Sequence, residues 1–83
     1  GVVNQVVADE DVLNTATKLA TKLAKGPTQA FGQVKSLLDG SFDHSLETQM
    51  ELEARGIAAM IDTPDGQEGL HAFLQKRKPD FKG

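Results

Sequence analysis

The sequence predicts an all-α protein of about four short helices, preceded by a single strand-like segment. Three observations support this prediction. Apolar residues recur three or four positions apart over most of the chain, which is the spacing of one helix face. Glycine or proline interrupts that pattern at positions 26–27, 40, 64 and 79, where helices begin or end. Residues 2–7, VVNQVV, form the one run rich in β-branched residues. A lone strand cannot pair its own edges, so we expect this run to join a sheet outside the chain.

Length and composition restrict the class of protein. The chain has 83 residues, which suffice for one small domain, and its net charge is −3, which argues against a nucleic-acid-binding protein. It has no cysteine, which excludes disulfides and fits a cytoplasmic location. No apolar run approaches the roughly 20 residues of a membrane helix, so no membrane role is expected. Because the chain begins with Gly1 rather than Met, we expect it to be a piece of a longer protein.

The first two helices are defined by their ends. The first helix begins at acidic residues 9–11 and ends near Lys22 and Lys25, charges that oppose the helix dipole at both ends. Gly26 is predicted to form the C-terminal turn, and Pro27 suits the start of the second helix, which stops at Gly40. The face that the second helix is expected to bury consists of Ala30, Phe31, Val34, Leu37 and Leu38.

The last two helices follow polar loops. Residues 41–45 form a loop in which Phe42 is expected to plug the core, and the third helix follows Ser45. Thr63 is predicted to cap the fourth helix, with Pro64 at its first position. This helix is expected to continue to about Lys78, before Pro79. Each of two glycines in it, at 66 and 69, costs about 1 kcal/mol against alanine. Either another backbone or a ligand approaches them closely, or they are merely tolerated.

Several kinds of site are not supported by the sequence. His44 and His71 lie far apart without carboxylates at ligand spacing, so we predict no metal site. The carboxylates of the third helix, Glu47, Glu51 and Glu53, are expected to form its solvated face. No glycine-rich phosphate loop is present, and no nucleophile lies beside a base. Catalysis by this chain alone is therefore not expected.

Ser45 raises one alternative. A serine that opens a helix after Asp or His, and is followed by leucine, is similar to the phosphopantetheine site of acyl and peptidyl carrier proteins. The glycine that usually precedes that site is replaced here by Phe42 and Asp43, and the basic C-terminus is foreign to carriers. Ser45 as a plain helix cap explains the same residues. A third alternative is a helical protein-interaction module without a small ligand.

The C-terminal segment HAFLQKRKPDFKG contains four of the nine basic residues and two of the four phenylalanines. If the fourth helix continues to Lys78, then Phe73, Lys76 and Arg77 share one face. An aromatic ring beside two cations is suited to stack on a base while the cations neutralise phosphate. Alternatively, the cations oppose the helix dipole and Phe73 lies in the core.

Three segments resemble the C-terminal helical region of the crotonase superfamily, the enoyl-CoA hydratase/isomerase family. They are GVVNQVV at the start, KLAKGPTQAFGQVKSLL in the middle, and EGLHAFLQKRKPDFKG at the end, with the motif EG-xx-AF-xx-KRKP-x-F. Residues 47–69 are also similar to the ring-epoxide isomerase branch of phenylacetyl-CoA catabolism.

The resemblance implies a division of labour. An N-terminal spiral domain, absent from this chain, supplies the oxyanion hole and the catalytic carboxylates of such enzymes. Residues 1–83 then correspond to a C-terminal domain that covers the acyl pocket and makes trimer or hexamer contacts. By the same resemblance, Phe73 and Lys76 reach CoA, and Arg77 is a further candidate on the same face. The implied ligand is an acyl-CoA substrate, and no separate cofactor or metal is implied.

Overall fold

The computed structural model describes all 83 residues and is helical, with no strand. The helices are α1 (Val12–Ala24), α2 (Thr28–Gly40), α3 (Leu46–Ile61) and α4 (Pro64–Leu74), and a short 3-10 turn, Asp9–Asp11, precedes α1. The predicted all-α class with four helices is therefore confirmed. Residues 2–7 lie in neither a helix nor a strand and border a shallow hollow beside α1. No helix combines the length and apolarity that a membrane crossing needs.

Side-chain caps define where α3 and α4 begin. The hydroxyl of Ser45 accepts a hydrogen bond from the backbone N–H of Thr48 at 3.2 Å. In the same way Thr63 accepts from the N–H of Gly66 at 3.0 Å, and Pro64 occupies the first turn. Each cap satisfies a backbone donor that has no partner within its helix. Both helix starts agree with the sequence prediction.

The helices pack in sequence, α2 against α3 and α3 against α4, whereas α1 packs on the 3-10 turn and has no substantial interface with the others. Gly26 forms the turn after α1, but its φ is not positive. A side chain at Gly26 would instead collide with the ring of Phe31, because an added Cβ would lie 2.6 Å from it. Phe31 therefore covers the α1–α2 turn rather than a core.

Two glycines allow the close approach of neighbouring elements. Gly56 of α3 is buried, and the side chain of Gln33 from α2 occupies the space that a Cβ would need. A Cβ on Gly66 would lie 2.1 Å from the carbonyl oxygen of Met60, so the start of α4 lies directly against the end of α3. Close backbone approach is thus the reason for the glycine at 66, one of the two explanations that the sequence left open.

The chain is unusually open for its size. Its radius of gyration is 16.2 Å, whereas a compact domain of this length has about 12 Å. Its accessible surface is 7010 Å², against about 4,800 Å² for a folded monomer of its mass. Ala72, 1% exposed, is the single buried hydrophobic residue. The three packed helices form one layer, and a single layer leaves one face of every helix uncovered.

The buried faces predicted from the sequence are consequently solvent-exposed within this chain. Phe42, expected to plug a core, is 99% exposed, because the α2–α3 loop has no second layer to enter. Of the predicted α2 face, Phe31, Val34 and Leu38 are likewise exposed. The helical periodicity was correct, but the chain by itself provides no surface to receive these side chains.

Candidate functional site

The C-terminal end of α4 departs from the sequence prediction. The helix ends at Leu74 rather than near Lys78. Beyond it, the N–H of Lys76 donates to the carbonyl of Phe73 at 3.2 Å, and the N–H of Arg77 donates to that of Ala72 at 3.0 Å. This pair of bonds is a Schellman motif, which closes a helix by satisfying its last carbonyls.

Lys76 occupies the left-handed position of that motif, with a φ of 53°, and it is the only non-glycine residue of the chain with a positive φ. An unbroken helix would have placed Phe73, Lys76 and Arg77 on one face. Because the helix ends at Leu74, they do not share a helical face. The helix stops four residues early because Lys76 reverses the direction of the backbone. Phe73 and Lys76 remain adjacent through their backbone hydrogen bond.

Arg77 is held by Glu68, nine residues earlier. The guanidinium makes two parallel bonds to the carboxylate, at 2.5 and 2.9 Å, and its Nε donates to the side chain of Gln75 at 2.7 Å. Glu68 also accepts the backbone N–H of Asp80 at 2.9 Å. The hydrogen bond from Arg77, helped by that from Asp80, lowers the pKa of Glu68 to about 2. The carboxylate is therefore ionised at neutral pH.

Asp65 fixes the last residues of the chain. Its carboxylate, 8% exposed, accepts the backbone N–H groups of Lys82 at 2.7 Å and Gly83 at 2.8 Å. Phe81, between the residues held by Glu68 and those held by Asp65, places its ring over Gly69, 3.6 Å from where a Cβ would lie. Residues 79–83 are thus folded back along α4 by two acidic side chains that lie on it.

The exposed groups at this end of the molecule include the ring of Phe73 and two ammonium groups without a partner, those of Lys76 and Lys78; of the two, Lys76 lies next to the ring. Phe73 is 81% exposed and is not in a core, against the second of the two readings of this segment. The side chain of Lys76 makes no ion pair or hydrogen bond within the chain, whereas that of Arg77 donates to Glu68, to Gln75 and to the carbonyl of Lys78. An exposed ring can stack on a flat heterocycle, and a free ammonium can meet an anionic oxygen.

An apolar groove lies between α2, α3 and α4. Its volume is about 440 Å³, and it is open to solvent. Aliphatic residues of the three helices line it, with Phe81 at one end; they include Val34, Leu37, Ile57, Met60 and Leu70. The pinned tail therefore contributes one residue, Phe81, to the groove wall.

Other residues considered from the sequence form no site. No group of three or more histidine, aspartate or glutamate side chains is arranged to hold a metal ion. His44 bonds to Gln49 at 3.2 Å in the α2–α3 loop, and His71 is exposed on α4. Glu51 pairs with Arg55 on the surface of α3, in keeping with a solvated face.

Sequence reasoning missed Asp65 and Glu68. The spacings 65–82 and 68–77 match neither a helix nor a strand period, so no pattern joins the partners. The one available signal was the pair of glycines at 66 and 69, which flank Glu68. One of them, Gly69, lies under the ring of the tail aromatic Phe81, although an added Cβ there would meet the ring only at an ordinary 3.6 Å.

Comparison with known proteins gives a consistent result. The family model described as enoyl-CoA hydratase/isomerase matches residues 1–83. The chain is 39% identical over 83 residues to the 1,2-epoxyphenylacetyl-CoA isomerase of Escherichia coli K12, covering 100% of the chain and 32% of that protein. It is 37% identical over 84 residues to a probable enoyl-CoA hydratase of Bacillus subtilis 168, covering 100% of the chain and 33% of that protein. The two identities are too close to favour isomerase over hydratase.

Solved structures agree. An enoyl-CoA hydratase subunit from Geobacillus kaustophilus HTA426 superposes with a TM-score of 0.93 at 35% identity, over 100% of this chain and 32% of that one. An enoyl-CoA hydratase from Polaromonas sp. JS666 superposes with a TM-score of 0.90 at 29% identity, over 99% of this chain and 32% of that one. The chain spans about a third of the length of these relatives. The resemblance seen in the sequence is thereby confirmed, and the chain belongs to the enoyl-CoA hydratase/isomerase family.

Proposed function

We propose that residues 1–83 act as the C-terminal helical domain of a CoA-thioester enzyme, where they contribute to the CoA site, cover the acyl pocket and make oligomer contacts. One observation carries this proposal. In a chain of this family, the end of α4 exposes the ring of Phe73 next to Lys76, whose ammonium has no partner. No nucleophile–base pair accompanies them, so the domain binds but does not catalyse by itself.

Phe73 and Lys76 divide the recognition of CoA between them. The exposed ring offers a stacking surface for the adenine, because each face of an aromatic ring attracts a flat heterocycle. The ammonium of Lys76 is free to meet a phosphate as a point charge. Arg77 stays in the proposed site, but Glu68 occupies its guanidinium, so it adds position rather than a free donor.

The ligand class follows from the relatives. The names of the Escherichia coli isomerase and the Bacillus subtilis hydratase both specify a CoA compound, and we infer an acyl-CoA for this protein. In the enzyme to which the domain belongs, backbone N–H groups would stabilise the enolate of the thioester. The choice between isomerisation, hydration and hydrolysis would rest on the catalytic residues that the resemblance assigns to the N-terminal domain.

Oligomer contacts are supported by the uncovered surface. The chain exposes about 2,200 Å² more than a compact monomer of its mass. That excess is in the range of obligate protein interfaces, which run from about 2,000 Å² upward. We therefore propose that α1 and the groove between α2, α3 and α4 are covered by other protein surface.

We also propose a cytoplasmic location for the protein. The lack of cysteine supports it, because disulfides are rare in the reducing cytoplasm.

Calorimetric titration with CoA tests the proposal. It is carried out on residues 1–83 and, in parallel, on the full-length natural protein that contains them. We expect Lys76→Ala to weaken binding about tenfold, near 1.4 kcal/mol, since a charge-assisted contact is lost. Lys78→Ala is the matched control, because Lys78 is equally exposed and two residues away. Binding should also weaken as salt rises, because the contact is between exposed charges.

Two results would contradict the proposed role. Equal affinity of the unaltered protein and Lys76→Ala for CoA would show that Lys76 does not contact a phosphate. Concentration-dependent assembly in the ultracentrifuge without any CoA binding would instead favour a helical interaction module.

A further inference from the structure

Lys76 holds a backbone conformation that its side chain opposes. At a φ of 53° the Cβ of any L-residue crowds the following carbonyl, and the left-handed position of a Schellman motif is ordinarily filled by glycine. The side chain makes no hydrogen bond or ion pair that could offset this cost. Something other than Lys76 itself must hold the turn.

The restraint comes from both sides of the turn. On the helix side, the N–H groups of Lys76 and Arg77 bind the last carbonyls of α4. On the tail side, the carboxylate of Glu68 binds the guanidinium of Arg77 with two bonds and the N–H of Asp80 with a third. Glu68 is only 23% exposed, so these bonds are partly shielded from water. Residues 77–80 are fixed to α4, and the chain between Leu74 and Arg77 must turn sharply.

From this geometry we propose that Glu68 is a positioning residue for the CoA site, which fixes Arg77 and Asp80 and thereby holds Lys76 in the left-handed turn that presents its ammonium. The inference rests on the proposed CoA contact of Lys76. It assigns Arg77 to the restraint and leaves Lys76 as the cation that meets the phosphate. Glu68 itself, an anion, does not touch the ligand.

Such a restraint supplies preorganisation. A lysine on a mobile tail would lose conformational freedom on each binding event, and this loss would reduce affinity. A lysine in a fixed turn has lost the backbone part of that freedom on folding. Removing Glu68 should therefore weaken CoA binding although the ligand touches none of its atoms.

A double-mutant cycle measured by titration with CoA tests this. Glu68→Gln should weaken binding three- to tenfold in the unaltered background and less than twofold in Lys76→Gly, where there is no ammonium left to position. Glu51→Gln is the matched control, because it removes an ion pair of similar length on α3 and should leave affinity unchanged. Pantetheine, which has no nucleotide or phosphate, should show no difference between the variants.

A second measurement does not depend on the ligand. In hydrogen exchange, Glu68→Gln should accelerate the amides of Arg77 and Asp80 at least tenfold relative to Glu51→Gln. Lys76→Gly should lower the unfolding equilibrium constant about fivefold, because glycine relieves the strain. If Arg77 and Asp80 exchange equally fast with and without Glu68, or if Lys76→Gly unfolds more readily, the restraint does not exist.

The outcomes separate this inference from the proposed function. If Lys76→Ala does not change CoA affinity, the proposed function fails and the inference fails with it. If Lys76→Ala weakens binding while Glu68→Gln has equal effects in both backgrounds, only the inference is overturned. A Glu68→Gln effect that disappears in Lys76→Gly supports both.

Discussion

The carboxylate of Asp65, in the first turn of α4, accepts the backbone N–H of Gly83, the last residue of the chain, at 2.8 Å. The neighbouring N–H of Lys82 donates to the other oxygen of the same carboxylate at 2.7 Å. The partners are 17 and 18 positions apart, so the segment between them contains nearly all of α4 and its C-terminal turn. One buried carboxylate thus holds the last two residues of the tail.

Replacing Asp65 by asparagine should release the tail. The NH₂ group of asparagine would face one of the two backbone N–H groups, of Lys82 or Gly83, and that N–H would lose its acceptor. A buried donor without an acceptor costs about 1–3 kcal/mol. We expect urea unfolding, followed by circular dichroism, to show a loss of that size. Asp62→Asn is the control, since Asp62 is exposed and bonds to no part of the tail. Equal losses for both variants would contradict this role of Asp65.

Alanine substitutions at the two glycines of α4 should have opposite effects. Gly66→Ala would place a Cβ 2.1 Å from the carbonyl oxygen of Met60, and such overlap should cost about 3 kcal/mol or more. At Gly69 the nearest atom is 3.6 Å away, so Gly69→Ala should be neutral or should stabilise the helix by up to about 1 kcal/mol. Thermal melts of the two variants check the pair. A destabilised Gly69→Ala would show that Phe81 lies closer than described.

The contribution of Glu68 to stability should depend on pH. Its pKa is lowered from an ordinary 4.5 to about 2, chiefly by the hydrogen bond from Arg77, so the folded state binds a proton less readily than the unfolded state. The stabilisation is therefore complete above about pH 4.5 and is lost as the pH falls towards 2. The difference in unfolding free energy between the unaltered protein and Glu68→Gln should shrink over that interval. A constant difference would place the effect elsewhere.

Ser45 should behave as a cap and not as an attachment point. Its hydroxyl accepts from Thr48 at the start of α3, so Ser45→Ala should cost about 1 kcal/mol, and Ser45→Gly less. Incubation with a phosphopantetheinyl transferase and CoA should leave the mass of the chain unchanged. An added phosphopantetheine at Ser45 would revive the carrier alternative.

Local signals in the sequence were enough for most of the fold. Thr63 and Pro64 mark the start of α4 because a cap and a first-turn proline act within three residues of each other. The start of α3 follows from the cap Ser45 in the same manner, and Pro27 marks the start of α2 as the residue just before it. Membership in the enoyl-CoA hydratase/isomerase family was also recognisable, from motifs spread over the chain.

The errors lie where distant residues decide. Pro79 suggested a helix to Lys78, but the left-handed turn at Lys76 closes the helix at Leu74, and Arg77 and Asp80 beyond it bond back to Glu68. Position 76 is a lysine and not the glycine that usually indicates such a turn, so the sequence did not predict it. The prediction of burial was wrong for a related reason: periodicity indicates which face of a helix is apolar, but not whether the same chain covers it.

The separation of α1 from the other three helices makes the turn at residues 25–27 a pivot. Rotation there would disturb the ring of Phe31 on Gly26 and the hydrogen bonds of the turn, whereas rotation of a helix inside a common core would disrupt packing along its length. We therefore expect the angle between α1 and the α2–α4 layer to depend on the protein surface that covers them, because a change in that angle bends no helix.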